Sequence, residues 1–273
     1  MPTENNWMYC NLDKRITDPF IDFKVAFNPT PFKKISFEQA SIESANKIAN
    51  KYDNIFISLS GGLDSEYIML TLYNLKIPFK PIIVVADKAN ELEVQYAFHM
   101  CKKINIEPKV INCSEFEFFN IFKYSIFNKM NGKGIYTTPI IITGKYVEEQ
   151  NGVLLTGEHI IDDDKFITKA SINDWDFYQD HLLNISSVGL LNYTPEIAYA
   201  IVNAFDGSET QEFKSKLYNL SFRPKMHPIF SADFMKSIKQ LFSSRKIPKY
   251  SEVLGNKEEC LRLSYSRYTR CAK

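Results

Sequence analysis

The segment Leu59-Ser60-Gly61-Gly62-Leu63-Asp64-Ser65 carries the clearest chemistry in the chain. The sequence holds only 10 glycines, so an adjacent pair stands out. Two glycines let backbone amides turn inward without interference from a Cβ. A helix starting at the end of such a turn aims its own first amides at the same point. Ser60 and Ser65 add hydroxyl donors, and Asp64 adds a carboxylate. Together these groups predict a nest for a tetrahedral anion, a phosphate or pyrophosphate. No Gly-Lys-Ser/Thr follows, so the segment is not a Walker A loop, and it does not fit GxGxxG.

The flanking residues supply the scaffold. Asn54–Leu59 is a short apolar run that reads as a buried parallel strand, and Glu66–Leu75 reads as a helix. Upstream, Ser36-Phe37-Glu38-Gln39 has the form of a capping box that opens a helix to about Lys51. The alternation then continues. Strands are expected at Pro81–Ala86, Lys109–Asn112 and Val153–Thr156, and helices at Glu91–Ile104, Ser114–Lys129 and Pro139–Glu149. This predicts an α/β fold, a parallel sheet with helices on both faces, over residues 36–165. Residues 1–35 read as irregular. Residues 166–273 read as a mainly helical C-terminal region that holds the substrate determinants, with helices at Asn184–Leu191, Ile197–Phe205, Ser208–Leu220 and Ser231–Ser243.

Composition removes several function classes. The 273 residues carry 33 Lys+Arg against 32 Asp+Glu, a balance that excludes a broadly basic protein coating nucleic acid. No apolar run reaches the ~18 residues of a membrane helix, and the N-terminus lacks the pattern of a signal peptide, so a cytoplasmic protein is expected. The five cysteines form no CxxC pair and no zinc spacing. Cys101 and Cys113 sit in apolar segments and are expected to be core thiols, poorly placed for thiol catalysis.

Ser60-Gly61-Gly62-Leu63-Asp64-Ser65 resembles the SGGxDS signature of the ATP pyrophosphatase, or PP-loop, superfamily. The resemblance implies an adenine nucleotide alpha hydrolase-like fold. It also implies ATP as co-substrate, adenylation of an oxygen, pyrophosphate held by Leu59–Ser65, and displacement of AMP by a nucleophile. A second segment narrows it. Thr138-Pro139-Ile140 before a helix, then Thr156-Gly157-Glu158 and Asp162-Asp163-Asp164, resembles the synthetase domain of asparagine synthetase. That likeness implies nucleotide contacts from Thr156, Gly157 and Glu158, and Mg²⁺ held by Asp64, Asp162 and Asp163; oxygen ligands suit this hard cation. Asp162 falls one residue later than in that family. His159-Ile160-Ile161-Asp162-Asp163 is instead similar to the HxxDD element of tRNA(Ile)-lysidine synthetase, which implies a tRNA partner. Pro2 follows Met1, where a glutaminase domain requires a cysteine, so nitrogen is expected from ammonia, an amine or another protein.

Weaker expectations complete the set. The superfamily reads adenine with backbone at the end of the second strand, which here places Val85, between Val84 and Ala86, at the base. Asp87 and Lys88 follow, near the ribose. A late cation is expected from Arg223 or Lys225 to neutralise phosphate charge. Arg262, Arg267 and Arg270 interleave with Tyr265 and Tyr268, either as a basic tail or as a small nucleic-acid patch. The expected activity is an AMP-forming ligase that joins a small-molecule carboxylate to an amine. A tRNA-modifying enzyme and a non-catalytic ATP-binding sensor are the alternatives.

Overall fold

In the computed structural model the described residues are 31–118, 121, 138–157, 187–208, 210–221, 233 and 236, together with the strands Met8–Cys10 and Val25–Phe27. These two strands, β1 and β2, pair antiparallel. The central sheet has five strands: β3 (Ile55–Ser58), β4 (Lys80–Ala86), β5 (Lys109–Cys113), β6 (Val153–Thr156) and β7 (Ser187–Gly189). Every pairing is parallel, in the order β5-β4-β3-β6-β7. The helices are α1 (Phe37–Lys51), α2 (Leu63–Asn74), α3 (Glu91–Lys103), α4 (Thr138–Glu149), α5 (Pro195–Ala204) and α6 (Thr210–Tyr218).

Alternation along the strands builds two apolar layers. Ile55 and Ile57 of β3, Ile83 of β4, and Val153 and Leu155 of β6 join the cluster formed with α1, α2, α3, α5 and α6. Phe56, Ile82 and Leu154, the intervening residues, pack with Val147 of α4 on the opposite face. Each fully buried Ile or Leu side chain contributes about 1.5–3 kcal/mol, so a one-residue slip in register would reverse many such terms at once. The expected α/β fold with helices on both faces is therefore what the chain adopts.

Side-chain caps open several helices, although the Gln39 side chain, the second half of the box read at Ser36, donates to Glu43 Oε1 at 3.0 Å. Ser36 Oγ accepts from the Gln39 amide at 3.2 Å, and Thr194 Oγ1 accepts from the Ile197 amide with Pro195 in the first turn of α5. Ser114 and Glu117 form a reciprocal box: the Ser114 amide donates to Glu117 Oε2 at 2.8 Å, and the Glu117 amide to Ser114 Oγ at 3.2 Å.

Three expectations change. Residues 1–35, expected to be irregular, contain the antiparallel pair β1 and β2. The helix after the glycine loop begins at Leu63 rather than Glu66, so Asp64 and Ser65 stand in its first turn. The helix expected over Asn184–Leu191 is replaced by β7 and a single 3₁₀ turn at Leu190–Asn192. Ser187, Val188 and Gly189 are all buried against β6, so pairing with the sheet edge outweighs the weak local preference of three residues. The sheet thus takes its fifth strand from beyond residue 165. Glu158, His159, Asp162–Asp164, Arg223, Lys225 and the arginine-tyrosine tail lie outside the described residues.

Candidate active site at the carboxyl edge of the sheet

Strand order reverses between β3 and β6, because β4 and β5 lie on one side of β3 while β6 and β7 lie on the other. In open α/β sheets this switch point, at the carboxyl ends of the strands, is where ligands bind. The loop after β3 sits there.

Leu59 continues the strand. Its amide donates to the Ile82 carbonyl at 2.9 Å and its side chain is buried, so it anchors the loop and offers no donor to a ligand. Gly61 adopts φ +87°, a conformation that strains any residue bearing a Cβ. A Cβ there would also lie 2.5 Å from the Glu93 carbonyl oxygen and 3.1 Å from Tyr96 Cβ. Glycine is required twice over, and α3 can press directly against the loop.

Gly62 is the N-cap of α2, and no side chain caps that helix. The two serines brace the turn from inside. Gly62 N–H donates to Ser60 Oγ at 3.3 Å, and Ser65 Oγ donates to the Gly62 carbonyl at 3.0 Å. The two hydroxyl oxygens are 3.3 Å apart. Ser65 is buried and spends its proton on Gly62, so it shapes the turn, whereas the sequence predicts a donor to the anion.

Asp64 is the point where distant chain segments converge. Lys214 Nζ lies 2.7 Å from Asp64 Oδ2, and Tyr218 OH donates to Asp64 Oδ1 at 2.7 Å. Both partners belong to α6, four residues apart, and so occupy one face of that helix. The Lys214 side chain is only 7% exposed and that of Asp64 21%. An ammonium that deep must keep an anionic partner, since leaving it unpaired costs several kcal/mol, about 3–5. The Tyr218 ring stacks on Tyr67 of α2, with centroids 4.5 Å apart and planes at 19°, and Phe37 closes the stack at 5.8 Å. Tyr67 OH in turn donates to Ser41 Oγ at 2.8 Å. Aromatic packing thus fixes the angle at which α6 presents its lysine. Burial first, then the Asp64 charge, holds the Tyr218 hydroxyl well above its ordinary pKa, so it remains a donor.

The second motif meets the first here. Thr156 ends β6, buried, and its Oγ1 has no hydrogen-bond partner among the described residues. A Cβ on the next residue, Gly157, would lie 2.9 Å from Asp64 Cβ. The carboxyl end of β6 therefore abuts the first turn of α2.

The β4 edge is arranged differently from expectation. Val84 carbonyl accepts from Asn90 Nδ2 and the Ala86 amide donates to Asn90 Oδ1, both at 2.9 Å. Cys113 Sγ lies 3.7 Å from the Val85 carbonyl. Asn90 thus takes up the Val84 carbonyl and the Ala86 amide on either side of Val85. Asp87, with φ +43°, accepts from the Glu115 amide at 3.0 Å and so caps the next helical turn. Lys214 and Tyr218 were not anticipated. Their i, i+4 spacing on an amphipathic helix was the available signal, but a surface ion-pair face has the same spacing.

Burial shifts other titrating groups near the loop. Burial pushes the Cys101 and Cys113 thiols up to about 11, which leaves little thiolate near neutrality. Burial alone pushes the Glu93 carboxyl, on the helix that backs Gly61, up to about 8.

The described residues suit an oxyanion better than a resident divalent cation. The amide turn and the uncapped start of α2 match a phosphate. Magnesium requires hard oxygen ligands. Among the described residues no group of three His, Cys, Asp or Glu can hold a metal, and both Asp64 oxygens already serve Lys214 and Tyr218. As arranged, these residues do not fit Mg²⁺.

No protein-family model matches the chain, and comparison with curated proteins finds no match. Among solved structures the chain is similar to the U34-tRNA thiolase NcsA of Methanococcus maripaludis, at 14% identity and TM-score 0.41, over 83% of this chain and 80% of that one. It is similar to the NH3-dependent NAD synthetase of Campylobacter jejuni, at 13% identity and TM-score 0.43, over 87% and 95%. It is also similar to the NMN synthetase of Francisella tularensis, at 15% identity and TM-score 0.37, over 88% and 97%. These likenesses are distant, so the activity has to be argued from the chain's own residues. Among the described residues no helix is long and apolar enough to cross a membrane.

Proposed function

We propose that the protein is an ATP-dependent, AMP-forming ligase that adenylates a carboxylate and joins it to an amine. The observation that supports this reading is the close approach of Gly157, at the end of β6, to Asp64 in the first turn of α2, with the buried ammonium of Lys214 on that carboxylate. ATP binds with its β- and γ-phosphates at the turn Gly61–Ser65, where the α2 amides and Lys214 stabilise the charge that develops on the leaving pyrophosphate. A carboxylate oxygen of the acceptor attacks the α-phosphorus in line, forming an acyl-adenylate and releasing pyrophosphate. The amine nitrogen then attacks the acyl carbon, and the C–O bond to AMP breaks as the amide forms. This chain contributes mainly by positioning and fixed dipoles. Substrate choice belongs to the region beyond residue 165, and Arg223 and Lys225 are further phosphate contacts.

The test is pyrophosphate release from labelled ATP with a pool of amino acids, ammonia and amines, wild type against Asp64→Asn. The amide keeps an acceptor for Tyr218 but leaves the buried Lys214 ammonium without its anion, a loss of about 3–5 kcal/mol. Release is therefore compared at a temperature where circular dichroism shows the variant folded, and there it should stop. Unchanged release in the variant would overturn the assignment.

A second reading, a tRNA-modifying enzyme, is favoured by His159-Ile160-Ile161-Asp162-Asp163 directly after the strand end that meets Asp64. It calls for salt-sensitive tRNA binding. No retention of tRNA on a filter at low salt removes it. ATP binding with no AMP formed from any acceptor would instead mark a non-catalytic sensor.

A further inference from the structure

We propose that Asn90 sets the base selectivity of the nucleotide site. Its carboxamide fills the donor–acceptor pair that the carboxyl end of β4 could offer to a base, so nucleoside triphosphates are held by their phosphates with little regard to the base. The inference rests on the reading of Gly61–Ser65 as a phosphate nest, and it widens the substrate class beyond ATP.

Three observations support it. Asn90 Nδ2 donates to the Val84 carbonyl and Asn90 Oδ1 accepts from the Ala86 amide, both at 2.9 Å and both buried. A carbonyl and the amide two residues on form an acceptor–donor pair that suits a base carrying an amino group beside a ring nitrogen, as adenine does at N6 and N1. A carboxamide places the same donor beside the same acceptor, so Asn90 stands where such an edge would. The other groups at this strand end are engaged as well. The Ala86 carbonyl accepts from the Ala89 amide at 2.8 Å, Cys113 Sγ lies 3.7 Å from the Val85 carbonyl, and Asp87 accepts from the Glu115 amide. Finally, Asn90 is the N-cap of α3, where an asparagine side chain ordinarily accepts from the first amides of its own helix; here it makes no such bond and turns to β4 instead. The place suits a nucleotide bound at the turn. Glu93, whose carbonyl oxygen backs Gly61, follows Asn90 by less than one helical turn, so the end of β4 lies beside the glycine loop.

The test is calorimetric titration of the full chain with ATP, GTP, purine riboside triphosphate and inorganic pyrophosphate. Purine riboside triphosphate lacks the 6-amino group but stacks as the other purines do, so it isolates the hydrogen-bonded edge. In wild type the three nucleotides should bind within about threefold of one another, because a base gains nothing from groups already satisfied inside the chain. In Asn90→Ala the Val84 carbonyl and Ala86 amide lose their buried partner, and adenine can supply both bonds. ATP should then gain about tenfold over purine riboside triphosphate. A tenfold or greater preference for ATP in wild type overturns the proposal. So does a folded Asn90→Ala that keeps the wild-type ratios, since a merely structural turn would lower stability and leave base preference alone. Should the variant fail to fold, the wild-type ratios decide by themselves. Binding of neither pyrophosphate nor any nucleotide removes the phosphate nest and this proposal with it, whereas pyrophosphate binding beside a strong preference for ATP removes the proposal alone.

Discussion

Alanine at each of the two adjacent glycines should have opposite consequences, and the pair separates what shapes the loop from what binds. At Gly61, φ is +87°, which costs a residue with a Cβ about 1–2 kcal/mol. The new methyl would also sit 2.5 Å from the Glu93 carbonyl oxygen, a backbone atom of α3 that cannot rotate away. Relieving that contact means shifting the helix or the loop, typically about 1–3 kcal/mol. Gly61→Ala should therefore lose about 3 kcal/mol, or about 6–12 °C in melting temperature for a chain of this size. At Gly62, φ is −78° and ψ 162°, which alanine adopts freely, and the nearest atom to the added Cβ is Ser60 Oγ at 3.4 Å. The gain from a stiffer unfolded chain, about 0.4–1 kcal/mol, roughly offsets the ~0.7 kcal/mol lost when alanine replaces glycine at an N-cap. Stability should stay within about 0.5 kcal/mol of wild type. The methyl nonetheless stands on the exposed side of the turn, so ATP affinity should fall about tenfold, or about 1.4 kcal/mol. Urea unfolding and equilibrium ATP binding measure both quantities. A loss under about 1 kcal/mol in Gly61→Ala would refute the packing described for α3 against the loop. Wild-type ATP affinity in Gly62→Ala would refute the nest.

Two further outcomes test the surroundings. Tyr218→Phe keeps the stack on Tyr67 and removes only the hydrogen bond to Asp64. Because water can reach that carboxylate, the loss should lie at the low end for a charged hydrogen bond, about 1.5 kcal/mol by urea unfolding; an unchanged midpoint would show that the bond contributes nothing. Glu93 should make stability fall as pH rises. Its native carboxyl keeps its proton up to about 8 while the unfolded chain releases it near 4.5, so the native state binds more protons across that window. Glu93→Gln should flatten that slope and gain stability at the alkaline end, and a slope identical to wild type would place the titration elsewhere.

Much of this organisation is legible in local sequence. The apolar run before Ser60, the glycine pair, the Ser36 and Thr194 caps and the alternating strands all depend on neighbours a few residues apart. Such signals survive without knowledge of the fold. They determine a parallel α/β sheet and locate its glycine loop. Tertiary structure decided the remainder, because it turns on which distant surfaces meet. Ser187-Val188-Gly189 is too short to announce a strand and becomes one only beside β6. The need for glycine at Gly157 arises from Asp64, a contact that strand order creates. Val84 and Ala86 look available to a base until Asn90 turns back onto them. Lys214 and Tyr218 read as an ordinary helix face. The stack of Phe37, Tyr67 and Tyr218 aims both at one carboxylate, and that aim is a property of how α6 packs on α2 rather than of either residue's neighbours in the chain.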